Sequence, residues 1–276
     1  MSNEITTKPP LVSIVTPSFN QSSYIEETIL SVQNAGYPYF EHIIVDGGST
    51  DATLSILKKY PHLRWVSEPD NGQSDALNKG FGMATGEIIG WLNSDDCYYR
   101  DAILRVVCAF NQNSTVDFIY GNLAFIDDTS DIKSIWHVKT FDIEQQLNDH
   151  NLIAQPSVFF KKSLLNKVGY LNIHLRYTMD VDLWNRMYFA GATMHRIDKV
   201  LSLFREHPTS KTIAEGDKFW KELRATSRNS GSRFYNIMLQ RHLYENYPGS
   251  RLKQLIALIK IVQQDQVWGN EYFGHG

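Results

Sequence analysis

Cysteine and long apolar runs are both scarce in this chain of 276 residues. The two cysteines, Cys97 and Cys108, are too few for a disulfide framework and lack the spacing of a zinc site, so we expect reduced thiols in a cytoplasmic protein. No segment approaches the ~18 consecutive apolar residues of a membrane span, and the polar first ten residues lack the apolar stretch of a secretion signal. We therefore expect the protein to be neither secreted nor inserted in a membrane.

An excess of positive charge is also missing. Lys and Arg number 27 against 30 Asp and Glu, for a formal net charge of −3, and such a chain lacks the field that attracts a phosphate backbone. With 17 Gly and 9 Pro, the sequence is not of low complexity, and its 42% hydrophobic and 21% charged residues are ordinary for globular proteins. We therefore expect a folded protein that does not bind nucleic acid.

Short β-branched runs alternate with helical patterns through the first half of the chain. This alternation is typical of βαβ units, and it predicts an α/β fold with a mainly parallel central sheet flanked by helices. Ser23 and Glu26 form a capping box for a helix through residue 33, while Asp51 and Ser74 are predicted caps for the next two helices. The predicted strands are 11–16, 42–46, 64–67, 88–92 and 117–126, and the predicted helices include 52–60, 75–84 and 101–112.

The second half is less regular. Strands are predicted at 157–161 and 194–204 and helices at 163–168 and 182–190, and residues 219–264 look helical throughout. We therefore predict four parts: an N-terminal arm at 1–10, the two halves of a main domain at 11–125 and 126–208, and a C-terminal helical appendage at 209–276.

Polar side chains follow each of the first four predicted strands. Because ligands of doubly wound sheets bind at the carboxyl ends of the strands, these four tips are predicted to border one crevice. Asp95 and Asp96 are the most informative of them, since two adjacent carboxylates repel each other unless a divalent cation lies between them and a substrate phosphate. Mg²⁺ or Mn²⁺ is therefore the expected cofactor, although an N-cap for the helix at 101–112 is the alternative.

Seven segments together resemble the family 2 glycosyltransferases in residue type, order and spacing. The resemblance extends from about residue 10 to residue 211, and it implies a GT-A-type, Rossmann-like fold, a nucleotide-sugar donor, a divalent cation and inversion at the anomeric carbon. The segments are residues 12–20, 46–51, 75–80, 86–88, 92–96, 155–157 and 180–186.

The resemblance implies a role for each group of site residues. Asp46 would accept the N3–H of uracil or the equivalent donor of another base, and Asp180 would be the catalytic base. The implied donor site comprises Thr16, Pro17, Ser18, Asn20, Asp46, Gly47, Ser49, Asp75, Asn78, Lys79, Asn93, Ser94 and Asp95. The implied acceptor site comprises Gln155, Trp184 and Asp182, and the metal ligands comprise Asp95, Asp96 and His207.

Two positions depart from the family pattern, which commonly has acids where this chain has Asn93 and Met179. Asp95 would then do most of the metal binding. On an α-helix, residues two apart project about 200° away from each other, so only one of Asp180 and Asp182 would face the substrate. Trp184 would lie beside the acceptor or in the core, and Lys211 or Arg205 would steady the diphosphate.

The predicted function is a metal-dependent, inverting transfer of a sugar from a nucleotide-diphosphate donor, UDP-linked by preference, to a saccharide or lipid-linked glycan, as in polysaccharide or lipopolysaccharide biosynthesis. The alternatives are a catalytically silent nucleotide-sugar-binding module, suggested by Asn93 and Met179, and a sugar nucleotidyltransferase. The second lacks support, because no basic, Gly-rich triphosphate loop follows the first strand.

The C-terminal segment 250–262 has an apolar helical face with basic margins. Such a face packs on its own domain or on a second subunit, giving a homodimer, or it lies in a membrane interface. The last case would put the enzyme on the inner face of the membrane, next to a lipid-linked acceptor. At this length the segment does not span a bilayer.

Overall fold

The computed structural model describes residues 9–147 and 152–207, together with 218, 219, 221–223, 225–227 and 230. The chain divides into two units, residues 1–227 and 228–276, and the fold below is that of the first unit. The predicted boundary between 208 and 209, Lys211 and the face at 250–262 lie outside the described residues, and the four-part organisation stays a prediction.

The first half of the sheet consists of alternating strands and helices, as the sequence pattern predicts. The elements are β1 (Val12–Ser18), α1 (Ile25–Gln33), β2 (Phe40–Asp46), α2 (Thr53–Leu57), β3 (Leu63–Ser67), α3 (Gln73–Met83) and β4 (Ile88–Trp91). The four strands lie in the order β3-β2-β1-β4 and are all parallel, so their carboxyl ends meet at one edge.

The second half adds strands of mixed direction. Its elements are β5 (Cys97–Tyr98), α4 (Ala102–Gln112), β6 (Phe118–Ile126), β7 (Ile132–Trp136), α5 (Ile143–Leu147), a 3₁₀ turn (Gln155–Ser157), β8 (Val158–Lys161), α6 (Lys162–Val168), α7 (Met179–Phe189) and β9 (Met194–Arg205). The sheet continues β4-β8-β6-β9-β5, with β7 on β6; β6 and β9 are parallel, whereas β8, β5 and β7 pair antiparallel. The predicted GT-A-type α/β fold is confirmed.

The helix starts differ from the predicted caps. Tyr24, not Ser23, precedes α1, and Gly72 precedes α3, so Ser74 lies inside that helix. Ser74 instead donates to the Leu175 carbonyl at 3.3 Å. Its hydroxyl therefore ties α3 to the segment before α7 rather than capping a helix.

The largest core cluster lies between the sheet and helices α3 and α7. Val15 of β1, Trp91 of β4, Phe160 of β8 and Trp184 of α7 are all buried in it. At Gly80 of α3 an added Cβ would lie 2.3 Å from Val15 Cγ1, so the glycine allows this close approach of helix and sheet. Close packing of this kind fixes where α3 and α7 begin relative to the strand ends.

Among the described residues, no helix is both long and apolar enough to cross a membrane.

Candidate active site

The loops after β1 and β2 are locked together. The Asn20 backbone N–H donates to Ser49 Oγ at 2.7 Å, and the Thr50 N–H donates to Asn20 Oδ1 at 2.9 Å. Asn20 has φ of 52°, in the left-handed region that Asn tolerates better than most residues. The two tips therefore form one rigid wall of the crevice.

Asp46 organises the turn after β2 from inside the protein. Its carboxylate is fully buried and accepts from the Gly48 N–H, the Ser49 N–H, the Ser49 hydroxyl and the Ser67 hydroxyl, at 2.5–3.1 Å. A carboxylate held in this way presents no surface to a nucleobase. The geometry therefore does not favour the predicted contact between Asp46 and a nucleobase.

Asp70, which follows β3, lies beside the space that Gly47 leaves open. An added Cβ on Gly47 would lie 2.7 Å from Asp70 Oδ2, while Asp70 Oδ1 accepts from the Gly72 N–H at 2.8 Å. Asp70 is half-buried, and Oδ2 accepts no hydrogen bond from another described residue. Asp70 belongs to the polar segment that follows the third predicted strand, but it is not among the predicted donor residues.

The tip of β1 is shorter than predicted. Thr16, Pro17 and Ser18 belong to the strand and are buried, and Thr16 Oγ1 lies 3.0 Å from His42 Nε2. Phe19, the next residue, is 59% exposed. Phe19 is thus an exposed aromatic side chain directly after β1, and it is not among the donor residues that the sequence predicts.

Helix α3 contributes two kinds of polar group. Asn78 Nδ2 donates to the Leu171 carbonyl and its Oδ1 accepts from the Leu171 N–H, each at 2.9 Å, so Asn78 braces the segment before α7. Asp75 accepts from the Asn71 N–H, and Lys79 bridges Asp75 and Glu68 at 3.7 and 3.0 Å. Of the three predicted donor residues, Asp75 and Lys79 stay available at the surface.

Asn93 is the centre of an amide network at the end of β4. Its Oδ1 accepts from Gln73 Nε2 and Trp91 Nε1, and its Nδ2 donates to Asp96 Oδ2 and Gln155 Oε1. A carboxylate at this position has no proton to donate to Asp96 or Gln155. Asn93 therefore fits this network better than the acid that the family commonly has. Ser94 beside it is buried, and its carbonyl accepts from Thr28.

Asp95 and His207 meet at the same edge. Strand β5 pairs with β9, which brings the residues after β4 and after β9 together, and Asp95 Oδ2 lies 3.0 Å from His207 Nε2. Two neighbouring ligands of an octahedral cation with bonds of about 2.1 Å are separated by about 3 Å, so this pair fits Mg²⁺ or Mn²⁺. Among the described residues, no group of three or more His, Cys, Asp or Glu side chains is placed to hold a metal ion.

Asp96 and Arg205 face inward. Asp96 Oδ1 accepts from the Arg205 N–H at 3.1 Å, and burial together with the charge of Asp95 raises the pKa of Asp96 well above its ordinary value. The buried Arg205 guanidinium donates to the carbonyls of Asp95 and Asp127, to Ser130 and to Glu27, at 2.5–3.1 Å. The geometry thus favours Asp95 over Asp96 as a metal ligand and makes Arg205 a brace rather than a diphosphate contact.

Asp180 lies in the first turn of α7. It is 9% exposed, and its Oδ1 has no hydrogen-bond partner among the described residues. Burial raises the pKa of Asp180 to about 6, with a smaller contribution from the charge of Glu222, against the opposing effect of the backbone N–H groups of Val181 and Asp180. The first turn of α7 thus holds a carboxylate that is both buried and poorly solvated.

The remaining acceptor predictions fare differently. Asp182 accepts from Arg186 Nε at 2.9 Å on another side of α7, as the two-residue spacing predicts. Trp184 is fully buried, with its ring centroid 6.4 Å from that of Trp91, so it lies in the core and offers no surface to an acceptor. Gln155 belongs to the amide network and also donates to the Trp91 carbonyl.

Parallel strands whose carboxyl ends carry polar side chains are the arrangement in which α/β proteins bind their ligands, and sequence similarity identifies the family. The profile of glycosyl transferase family 2 matches residues 13–169, and the chain belongs to this family of glycosyltransferases.

Relatives and solved structures agree with this membership. A glycosyltransferase of Rickettsia typhi is 31% identical over 75% of this chain and 67% of its own length, and a Mycobacterium bovis protein named for PGL/p-HBAD biosynthesis is 28% identical over 84% and 91%. The S. aureus TarS 1–349 structure with UDP-GlcNAc superposes with a TM-score of 0.60 at 18% identity, covering 88% of this chain and 77% of that one. A mannosyltransferase of Pyrobaculum calidifontis with GDP-Man and Mn²⁺ superposes with a TM-score of 0.55 at 16% identity, covering 94% and 81%.

Proposed function

We propose that this glycosyltransferase moves a sugar from a nucleoside-diphosphate donor to an acceptor hydroxyl with inversion, and that Asp180 is the base. The observation that carries the proposal is the Asp180 carboxylate, which is buried and has one oxygen without a hydrogen-bond partner among the described residues. A free carboxylate oxygen in a poorly solvated position accepts a proton readily.

The chemistry follows from the charges. The acceptor oxygen attacks the anomeric carbon from the face opposite the diphosphate, its proton passes to Asp180 Oδ1, and the bond between that carbon and the phosphate oxygen breaks. The electron pair of that bond leaves with the nucleoside diphosphate. With a pKa of about 6, Asp180 is ionised at neutral pH and still basic enough to take the proton.

Asp95 and His207 are the residues that would hold a divalent cation, by the fit of their 3.0 Å separation. When bound, such a cation offsets the negative charge on the departing diphosphate. Arg205 supports this pair from behind, because it anchors the Asp95 carbonyl while its own chain leads to His207.

Phe19 and Asp70 are the residues that we assign to the nucleobase. An exposed ring at the tip of β1 provides a stacking surface, and Asp70 Oδ2, beside Gly47, accepts an N–H from the edge of the base. Uracil and guanine both offer such an N–H, whereas cytosine offers none at the corresponding ring nitrogen. UDP is the preferred donor nucleotide, in keeping with the UDP-GlcNAc bound to TarS.

The acceptor is proposed to be a saccharide or a lipid-linked glycan. The mycobacterial relative is named for the biosynthesis of PGL and p-HBAD, and this name supports a role in building a cell-envelope glycan.

Release of UDP from UDP-GlcNAc tests the proposal without knowledge of the acceptor. We expect Mn²⁺-dependent UDP release by the wild type and a loss of roughly 10²–10⁴-fold in Asp180→Asn, with donor affinity unchanged. Asp182→Asn is the matched control, because its carboxylate pairs with Arg186 instead. Donor binding without any turnover would instead support a silent binding module.

A further inference from the structure

Glu222 reaches back to the start of α7. Its Oε1 accepts from the Tyr177 N–H at 2.7 Å, the Thr178 N–H at 2.8 Å and the Thr178 hydroxyl at 3.0 Å, and both its oxygens accept from the Arg176 N–H at 3.1 Å. One carboxylate thus binds three successive backbone N–H groups, two residues before Asp180. The family profile ends at residue 169, so Glu222 lies outside the matched region.

Thr226 and Leu223, close to Glu222 in the chain, support the same segment before α7. Thr226, one helical turn after Glu222, has its hydroxyl 2.8 Å from that of Thr178, and Leu223 is fully buried. Thr178 is the N-cap residue of α7 but makes no side-chain cap bond of its own. Glu222 and Thr226 therefore provide contacts that fix the backbone at the point where α7 begins.

We propose that Glu222 is the positioning residue for Asp180, setting both the place of the helix start and the negative charge beside the base. The inference rests on the proposed function, because it assumes that Asp180 takes the proton. Glu222 does not touch the reacting atoms. Glu222 contributes by fixing the backbone before α7 and by its negative charge, which disfavours ionisation of Asp180.

The other charged groups near Asp180 are engaged elsewhere and do not supply the negative field that Glu222 supplies. Asp182 shares α7 but pairs with Arg186, and the Arg176 guanidinium lies over the Tyr177 ring at 5.8 Å. Met179, directly before Asp180, is uncharged. Glu222 is the charged side chain in the described structure that raises the pKa of Asp180, in addition to burial.

The test is the titration of Asp180 in the full chain, by ¹³C NMR of aspartate carboxyl carbons with Asp180→Asn to assign the signal. Glu222→Gln keeps an acceptor oxygen but removes the charge, so we expect the Asp180 pKa to fall below its wild-type value of about 6. Thr226→Val loosens the same helix start without changing charge, and Glu87→Gln removes an exposed charge elsewhere. Both controls should leave the Asp180 pKa in place.

Activity gives a second readout. We expect Glu222→Gln to lower kcat for UDP release from UDP-GlcNAc by about tenfold, a part of the roughly 10²–10⁴ from a positioned base, with the acid limb of the pH profile moved to lower pH. The KM for the donor should not change, and Glu222→Asp should recover part of kcat. An Asp180 pKa and pH profile equal to wild type would overturn the role of Glu222. Full activity of Asp180→Asn would instead overturn the base assignment.

Discussion

Asp46 and Asp180 are both buried carboxylates of the same unit, yet they differ in how their oxygens are satisfied. Asp46 accepts four hydrogen bonds and is fully committed to the turn after β2, whereas Asp180 has one oxygen with no partner among the described residues. Burial alone does not identify a catalytic acid or base. The oxygen left without a donor is what separates a reactive carboxylate from a structural one.

The buried charge of Asp180 should destabilise the folded protein at neutral pH. Its folded pKa, about 6, lies above the ordinary value of 3.8, so the folded state binds the proton more tightly than the unfolded state. The favourable contribution is complete below pH 3.8 and is lost as pH rises through 6. We therefore expect Asp180→Asn to raise the free energy of unfolding at pH 8 by on the order of 2 kcal/mol.

Urea unfolding at pH 8 and pH 4 checks this expectation. The gain should shrink at pH 4, where Asp180 is largely protonated in the folded state. Asp182→Asn should show no such gain, because its carboxylate has Arg186 as a partner. An equal gain at both pH values would mean that a feature other than ionisation is responsible.

Asp95→Asn removes the charged member of the pair with His207. We expect loss of the Mn²⁺-dependent part of UDP binding, because a neutral amide and an imidazole hold a hard divalent cation poorly. Calorimetric titration with UDP, in the presence and absence of Mn²⁺, measures this metal-dependent part of the affinity. Asp128→Asn, an exposed acid outside the pair, is the control. Unchanged Mn²⁺-dependent affinity in Asp95→Asn would contradict the assignment.

Asp70 and Asp46 are distinguished by two substitutions. Asp70→Ala should weaken UDP binding by about tenfold, the value of one hydrogen bond to a charged acceptor, and leave stability near wild type. Asp46→Ala should mainly lower the melting temperature, because four buried or partly buried donors lose their acceptor. A stable Asp46→Ala protein with reduced UDP affinity would indicate that Asp46, and not Asp70, contacts the nucleobase.

At the scale of elements, periodicity predicted the regular part of the fold. The parallel strands β1–β4 and helices α1, α3 and α4 each have long apolar patterns, and their positions agree with prediction within a few residues. Strands β5 and β7 and helix α5 were not predicted. β5 has two residues and β7 is almost wholly exposed, so neither carries a hydrophobic repeat.

The strand ends were predictable from the sequence, but the contacts between the side chains near them were not. The strand tips and Asp180 follow from motif positions, whereas Asp95 meets His207 across 112 residues and Glu222 meets Thr178 across 44. Such pairings depend on how strands order in the sheet. The burial of Asp46 and the inward turn of Asp96 also follow from tertiary packing, which local patterns do not report.

Arg205 joins three elements behind the site, namely β9, α1 and the turn between β6 and β7. Arg205→Met should lower the free energy of unfolding by about 2–4 kcal/mol, because the carbonyls of Asp95 and Asp127 lose their buried donor and Glu27 loses its partner. The control is Lys59→Met, whose pair with Glu26 lies at the surface and should cost less than about 1 kcal/mol. If urea unfolding gave the same loss of free energy of unfolding for both variants, Arg205 would not be the stabilising contact between these elements.

At the scale of the whole molecule, the C-terminal face at 250–262 keeps its two alternatives. If it lies in a membrane interface, the full chain should co-sediment with anionic liposomes, and deletion of 249–276 should abolish this without lowering UDP affinity. If it packs on its own domain or a second subunit, the full chain should stay in the supernatant and the deletion should lower the melting temperature or the molecular mass in solution.

The last prediction concerns where the catalytic unit ends. Residues 1–227 form one unit, and Glu222, Leu223 and Thr226 near its end contact or pack with residues far earlier in the chain. A chain ending at 227 should therefore keep the fold and the affinity for UDP with Mn²⁺. A chain ending at 217 loses the buried Leu223 and the acceptor for the three N–H groups before α7. It should be less stable by about 2–5 kcal/mol, as expected for removal of one large buried side chain and its neighbours. Thermal unfolding of the two truncated chains compares them, and equal stability would show that residues 218–227 are not part of the unit.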